Sequence, residues 1–532
     1  MLLQKDRLDE SFNSFIEENK RYRLLLMMTS MLLTIMVVLV YCFDVVLPIT
    51  TEDPIQMLYI ENDKPSTFKT SPYFLSVALD DVVIADGFKD FDMNNEKLTA
   101  MIRYLSPGYF RIGGNLADRL IFSLKNKTDI DIENVDQLYD SSNFGNIDIN
   151  YAALPNITLF ASDWLKLNNL SSNTNMSIFF GLNALLRFKN GSWDYRNAEE
   201  MIKFSDENGL RVNWELGNEP NSFKHKFNEE VNATQMAKDF KQLRSILNKY
   251  NNFKKSLLVG PDVTRPEEEH KESQIFLKEF VASAKDVVDK VTWHQYYLNG
   301  RTAEPKDFVD PTVLDLLKYQ ITRVKELTNL SGRSIWLGET SSAYGGGAPN
   351  MSDRFISSFM WLDKLGLAAK MGVEVVMRQS IFHGNYSLLD ENYDPNPDWW
   401  ISFMYKNLVG RNVVPYQSKT NKLVRLYVHC LQDAILPSVV IFGVNLGSKT
   451  AKIGIEGLDP DNMPLILMGF EFQSKDWFTK DIYLNGVLMK LMPGNKIPDI
   501  LPRRKFLKPY VEMPPYSLVF WVTTRVKMEA CL

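Results

Sequence analysis

The sequence predicts an α/β chain: a (β/α)8 TIM barrel followed by a C-terminal β-sandwich, with a transmembrane or signal segment in front. Three observations carry this. Between residues 74 and 379 eight short apolar runs recur about every thirty to forty residues, mostly separated by stretches long enough for a helix. Nearly every run ends in a chemically active or backbone-permissive residue. After Gly410 the helical patterns stop and short alternating strands take over.

The eight runs are FLSVALD (74–80), YFRIGG (109–114), SIFFGLN (177–183), VNWELGNE (212–219), SLLVGPD (256–262), KVTWHQYY (290–297), SIWLGET (334–340) and VEVVMRQ (373–379). Helical periodicity over 195–207 and 311–327 fits crossovers between parallel strands buried on both faces. An open doubly wound sheet would share this periodicity. The polar ends decide for the barrel: Asp80, Gly113, Gly114, Asn183, Asn218, Glu219, Asp262, His294, Tyr296, Tyr297, Glu339, Arg378 and Gln379 would converge on one mouth, where barrel enzymes hold their sites. The barrel is expected over 71–410. The long gap between the second and third strands, rich in Asn, Asp and Ser from Lys125 to Asn150, predicts a surface insertion over 123–176. The sandwich is expected over 411–532, and the run IQMLYIEN (55–62), within 52–70, is expected to add an edge strand to it.

Leu24 to Phe43 is twenty residues without a charge, about enough to span a bilayer, and Lys20, Arg21 and Arg23 precede it. Residues 1–23 then form a cytosolic tail and 24–43 an anchor or signal, with everything after Asp44 in the lumen or outside the cell. The expected location is the secretory pathway: a single-pass membrane protein if the segment stays, a secreted, matrix or lysosomal one if it is cleaved. Asn-x-Ser/Thr sequons at Asn126, Asn156, Asn169, Asn175, Asn190, Asn232, Asn329, Asn350 and Asn385 are glycosylation candidates there. In an oxidising compartment Cys430 and Cys531 could close the C-terminal region with a disulfide. A formal net charge of −5 makes nucleic acid an unfavourable partner. The five histidines are scattered and no CxxC or HExxH occurs, so neither a metal nor another cofactor is expected.

Two carboxylates at the ends of two barrel strands, one on each side of a bound sugar, suffice to hydrolyse a glycosidic bond. Glu219 in Asn-Glu-Pro and Glu339 in Gly-Glu-Thr supply them. Pro220 stops strand pairing and turns the chain, leaving Glu219 projecting into the mouth. In a retaining mechanism Glu339 attacks the anomeric carbon and protonated Glu219 protonates the leaving oxygen, the charge of Glu339 raising the affinity of Glu219 for its proton. Asn218 is placed to bond a sugar hydroxyl. Tyr296 and His294 lie on the strand between the two carboxylates, where the Tyr296 hydroxyl could hold the nucleophile.

The stretches NGLRVNWELGNEPNSF (208–223), VTWHQYYLNGRTA (291–303), IWLGETSSAYGGGAP (335–349) and FMWLDKLGLAAKMGVEVVMRQ (359–379) closely resemble the heparanase family of retaining glycoside hydrolases. The likeness runs from SPYFLSV (71–77) to the carboxy terminus, except for 123–176. It implies an endo-β-glucuronidase acting on heparan sulfate or a related glycosaminoglycan, with Glu219 as proton donor and Glu339 as nucleophile. It also implies a substrate cleft lined by Asp80, Asn218, Arg301, Tyr344, Gly345, Gly346, Gly384 and Tyr386. The linker that processed members excise between strands two and three has no obvious counterpart here. Where the family carries a basic cluster, TRPEEEHKESQ (264–274) has Glu267, Glu268 and Glu269, so a less sulfated substrate or another glucuronide is an alternative, with Arg187, Lys189, Lys224, Lys226 and Arg301 left to form a positive rim. An exo-acting β-glucuronidase and a non-catalytic polysaccharide receptor are the other readings. The intact Gly-Glu-Thr context disfavours the receptor.

Overall fold

The computed structural model of the chain describes residues 17–37, 53–125, 150–268, 271–458, 466–507 and 509–532. The tail up to residue 16, positions 38–43 of the apolar segment, the sequon at Asn126, the polar stretch 126–149 and Glu269 lie outside these residues. The chain divides into two compact units, Met1–Pro54 and Ile55–Leu532. In the first, residues 17–37 are helical. Glu17, Glu18, Lys20, Arg21 and Arg23 occupy the start of that helix, and no helix among the described residues is long and apolar enough to cross a membrane.

In the second unit the eight expected runs are eight parallel strands: β1 (Leu75–Leu79), β2 (Gly108–Ile112), β3 (Met176–Leu182), β4 (Val212–Leu216), β5 (Val259–Val263), β6 (Lys290–Asn299), β7 (Ile335–Tyr344) and β8 (Val375–Arg378). They pair in the order β4-β3-β2-β1-β8-β7-β6-β5. The ring is closed between β4 and β5 by a parallel bridge from Trp214 to Leu258, with Trp214 N–H donating to Leu257 O at 2.9 Å. A helix follows each strand: α1 (Glu96–Tyr104), α2 (Ala161–Asn173), α3 (Arg196–Glu207), α4 (Ala233–Leu247), α5 (Glu272–Ala284), α6 (Pro311–Thr328), α7 (Ser357–Lys370) and α8 (Pro397–Leu408). Local sequence sets several starts. Asn95 caps α1 by accepting from the Lys97 and Leu98 amides, and Asp310 caps α6 with Pro311 in its first turn. A plug of Tyr109, Phe179, Val259, Trp336, Val375 and Met377 fills the barrel, with the Tyr109 and Trp336 rings stacked 5.2 Å apart.

The insertion is narrower than expected. Leu120–Ser123 pairs with Ile157–Phe160, and α2 is an ordinary crossover helix with Trp164, Leu167 and Leu170 buried. Its Asn- and Ser-rich composition hid that apolar face.

Beyond α8 a largely antiparallel sheet runs Phe68–Lys69, Val409–Val413, Val424–Leu431, Ser438–Asn445, Ser517–Thr524 and Ile466–Gln473. A second sheet of four strands packs on it around Leu58, Val428, Ile441, Ile453 and Trp521. Gln56–Ile60 is not an edge strand: it pairs antiparallel with Tyr416–Lys419 and parallel with Ala451–Glu456, so it lies inside the four-stranded sheet. The strand Tyr416–Lys419, too polar to be read from its sequence, is the one that covers it. Cys430 and Cys531 form a disulfide with Cα atoms 5.5 Å apart. The other face of the large sheet joins the barrel core. A Cβ on Gly366 of α7 would lie 2.1 Å from the Tyr427 ring, so the ring sits directly on the helix backbone, and Arg425 and Tyr427 both reach Asp363 at 2.6 Å.

Candidate active site

A cavity of about 420 Å³ opens at the carboxyl ends of the barrel strands. All twelve candidate residues line it: Asp80, Asn218, Glu219, His294, Tyr296, Arg301, Glu339, Tyr344, Gly345, Gly346, Gly384 and Tyr386. Strands β6 and β7 run past the ring, pairing Leu298 with Ala343 and Asn299 with Tyr344, and so raise one wall. At its crest Gly345, Gly346 and Gly347 have φ of 74°, 83° and 89°, a left-handed run that side chains disfavour. The Asn385 amide donates to Gly346 O at 2.7 Å and ties the crest to the loop after β8.

Glu219 and Asp262, at the ends of β4 and β5, both have φ of 54°, and the Glu219 amide donates to Asp262 O at 3.0 Å. Such backbone strain in non-glycine residues clusters where side-chain direction matters. Here the Glu219 side chain lines the cavity.

The two carboxylates meet at one ring. His294 Nδ1 lies 3.0 Å from Glu219 Oε1 and 4.0 Å from Glu339 Oε1. The two oxygens can be no further apart than these distances together. That bound accommodates the ~5–5.5 Å between the carboxyl groups of retaining glycosidases. Glu339 is held at both oxygens, Tyr296 donating to Oε1 at 2.6 Å and Arg111 Nη1 to Oε2 at 2.8 Å.

Arg111 is fully buried and also donates to Glu215 Oε1 at 2.7 Å and Asn218 Oδ1 at 2.9 Å. Asn218 is thus tied at its carbonyl. Its amide donates to Asn115 Oδ1 at 3.2 Å and its backbone N–H to Asp118 Oδ2 at 2.8 Å. Arg111, Glu215 and Asp118 were not among the expected site residues. A signal for the first two existed: a full charge inside the apolar runs YFRIGG and VNWELGNE must be paired once its strand is buried.

Burial opposes the charge on His294, but Glu339, Asp262 and Glu219 push its pKa up to about 10. Burial together with the charge of Glu339 pushes Asp80 up to about 6. Glu215 rises to about 8, burial outweighing Arg111. Glu219 behaves opposite to the expectation. Burial would raise its pKa, yet Lys226 and His294, each in direct contact with one carboxylate oxygen, hold it well below the usual carboxylate range. The charge of Glu339 is outmatched by two nearer cations.

Of the expected basic rim only Lys226 and Arg301 line the cavity. Arg187 is turned away into a 2.5 Å pair with Asp239, and Lys189 and Lys224 do not reach the cavity wall. Arg265 lines it instead, stacked 4.9 Å over the Tyr344 ring and paired with Glu267 at 2.5 Å. Beside the cavity, Asp86, Asp90 and His383 bring three ligand atoms within 4.8 Å of one another, a kind of acidic cluster that is common without an ion.

The pattern of glycosyl hydrolase family 79, N-terminal domain, matches residues 84–366. Heparanase of Bos taurus is 32% identical over 501 residues, covering 87% of this chain and 90% of that protein. Hyaluronoglucuronidase of Hirudo nipponia is 31% identical over 508 residues, covering 88% and 98%. Among solved structures, a 4-O-α-L-rhamnosyl-β-D-glucuronidase from Fusarium oxysporum superposes with a TM-score of 0.65 over 88% of this chain and all of that one, at 14% identity, and so shares the fold. With both glutamates in place on that barrel, the chain belongs to glycosyl hydrolase family 79 and is a glycoside hydrolase.

Proposed function

We propose that the chain is a retaining endo-β-glucuronidase acting on a glycosaminoglycan. The observation that carries the mechanism is the pair of carboxylates, one just past β4 and one on β7, that lie 3.0 and 4.0 Å from one histidine nitrogen. Glu339, aimed by Arg111 and Tyr296, is the nucleophile at the anomeric carbon. Glu219 is the acid/base: it protonates the departing oxygen and then deprotonates the water that releases the sugar. Asn218, Asp80 and Tyr386 line the sugar site, and the left-handed glycines let backbone N–H groups approach a uronate carboxylate. The names of the relatives, heparanase and hyaluronoglucuronidase, support a glycosaminoglycan as substrate.

A weakly sulfated or unsulfated chain is the better substrate in this reading. Its support is the Arg265–Glu267 pair, which compensates a cleft cation that would otherwise meet sulfate. One experiment addresses both points: size-defined hyaluronan and heparan sulfate incubated with wild type and Glu267→Lys. Internal fragments with new reducing ends are expected, faster on hyaluronan. The variant should move the ratio toward heparan sulfate by roughly fivefold, about what a partly exposed ion pair is worth. Release of single glucuronic acid residues from one end would instead make the enzyme exo-acting, and reducing ends that never form would make it a receptor.

We also place the protein in the secretory pathway, anchored through 24–43 or released if that segment is cleaved. The supports are its basic-flanked apolar run, its sequons and the disulfide. Among the described sequons Asn156, Asn169, Asn175, Asn190, Asn232, Asn329 and Asn350 are exposed, while Asn385 is half-buried at the cleft. The chain made in cells should lose mass on treatment with a peptide N-glycosidase; an unchanged mass would count against this location.

A further inference from the structure

Both oxygens of the Glu219 carboxylate face a cationic donor, His294 Nδ1 at Oε1 and the Lys226 ammonium at Oε2. Two cations in direct contact favour the ionised carboxylate, whereas the acid step needs it protonated. Withdrawal of one of the two donors would ease the protonation that Glu219 needs to act as an acid. They are not equally free to withdraw. The His294 side chain is 1% exposed and its other nitrogen lies 3.4 Å from Asp262 Oδ1, deep in the barrel. Lys226 stands on the short helix Phe223–Phe227, whose backbone is pinned by the buried rings of Phe223 and Phe227, 5.8 Å apart. Its four-carbon stem extends into the cavity and the side chain is 16% exposed. The ammonium's second partner is Asn115 Oδ1 at 2.5 Å, a neutral acceptor that Asn218 also uses.

We infer that Lys226 is a substrate-operated latch on the acid/base. An anionic group on the leaving side of the scissile bond, a carboxylate or a sulfate, draws the ammonium away from Oε2, and Glu219 then takes up a proton from solvent. That proton passes to the glycosidic oxygen as its bond to the anomeric carbon breaks and the bond to Glu339 forms. In the second half, water replaces Glu339 at that carbon and gives its proton to Glu219. When the product leaves, the proton returns to solvent and Lys226 closes again. The inference rests on the acid/base assignment of Glu219 and adds a specificity: β-glucuronides whose leaving portion is itself anionic. Lys226 is a positioning residue in this scheme. The other titratable groups that face the pair include Glu339 on β7, Asp262 on β5, Asp118 beyond β2 and the Tyr151 and Tyr296 hydroxyls, with His225, Arg265 and Arg301 on the wall of the same cavity. With Lys226 withdrawn, His294 is the cation left in contact, and it stays charged across the working range.

The test uses three β-glucuronides of one N-acetylhexosamine: unmodified, 6-O-sulfated, and extended by a uronate. In wild type, the fall of kcat at high pH should lie above the fall of kcat/KM for the two anionic substrates and coincide with it for the neutral one, because kcat/KM reports the free enzyme and kcat the complex. Which anion separates the two limbs further identifies the source of the trigger. Lys226→Met should move the kcat/KM limb upward by roughly 1–3 pH units, the usual effect of an adjacent charge on a carboxyl, and should abolish the preference for anionic substrates. Lys226→Arg should keep the wild-type limb. The latch is overturned if wild type shows coincident limbs on all three substrates, or if Lys226→Met, melting like wild type, leaves limb and preference in place; Lys226→Gln serves if the Met variant does not fold. Glu219→Gln separates the two levels. Its inactivity alongside an unmoved limb would refute the latch alone, whereas its full activity on the neutral substrate would refute the acid/base assignment.

Discussion

Glu339→Gln should lower kcat on any β-glucuronide on the order of 10⁴- to 10⁶-fold, the scale seen when the nucleophilic machinery of other hydrolases is removed. The change keeps the side chain's shape and its contacts with Tyr296 and Arg111 in outline, so the fold should stand while the covalent step is lost. The direct measurement is the mass of wild-type enzyme after reaction with a 2-deoxy-2-fluoro-β-glucuronide. A covalent adduct located by peptide mapping at Glu339 is expected, and none with the variant. An adduct at another residue, or a variant within tenfold of wild-type rate, would end the assignment.

Arg111→Met should cost both stability and activity. The guanidinium divides its donors among Glu215, Glu339 and Asn218, all of them buried, and its removal takes the paired cation from Glu339 Oε2 and the donor from Glu215 Oε1 and Asn218 Oδ1. Breaking a buried pair in this way costs about 3–5 kcal/mol. Chemical denaturation should show that loss, and kcat should fall as well, because Glu339 loses one of the two donors that aim it. Arg111→Lys will not substitute, since one ammonium cannot serve three acceptors at fixed angles. The double change Arg111→Met with Glu215→Met should recover most of the stability and little of the activity. If the single variant were less than about 1 kcal/mol destabilised, well short of the cost of a broken buried pair, the guanidinium would not be the keystone described.

The barrel was legible because parallel strands buried on both faces are apolar throughout, and such runs survive a reading of one sequence. Both glutamates were legible for a related reason: a carboxylate at the end of an apolar run has few structural explanations once two of them fall on β4 and β7. What the sequence concealed depends on side chains converging from distant strands. Arg111 lies more than a hundred residues from Glu215 and over two hundred from Glu339, so nothing local marks it as their partner. Lys226 read as one of several rim charges, although its position seven residues after Glu219, on a helix anchored by two phenylalanines, carries it back onto the acid. The rim failed as a group because spacing along the chain does not say which way a long cationic side chain bends; Arg187 bends toward Asp239. The central place of Gln56–Ile60 escaped notice because its cover, Tyr416–Lys419, is polar and short.

The contact of Tyr427 with the bare backbone of α7 at Gly366 bears on how this protein can change over evolutionary time. An aromatic ring from one domain occupies the space that any side chain on the other would need, and Asp363 one turn away is shared by Arg425 and Tyr427. The sandwich is consequently not a portable module. Recombination that exchanged it for a homologue's would set a foreign surface against a helix fitted to this one, and a gene encoding the barrel alone would expose the Gly366 groove and leave Asp363 without its partners. The two halves are bound to diverge together, each substitution at that seam conditioned by its opposite number.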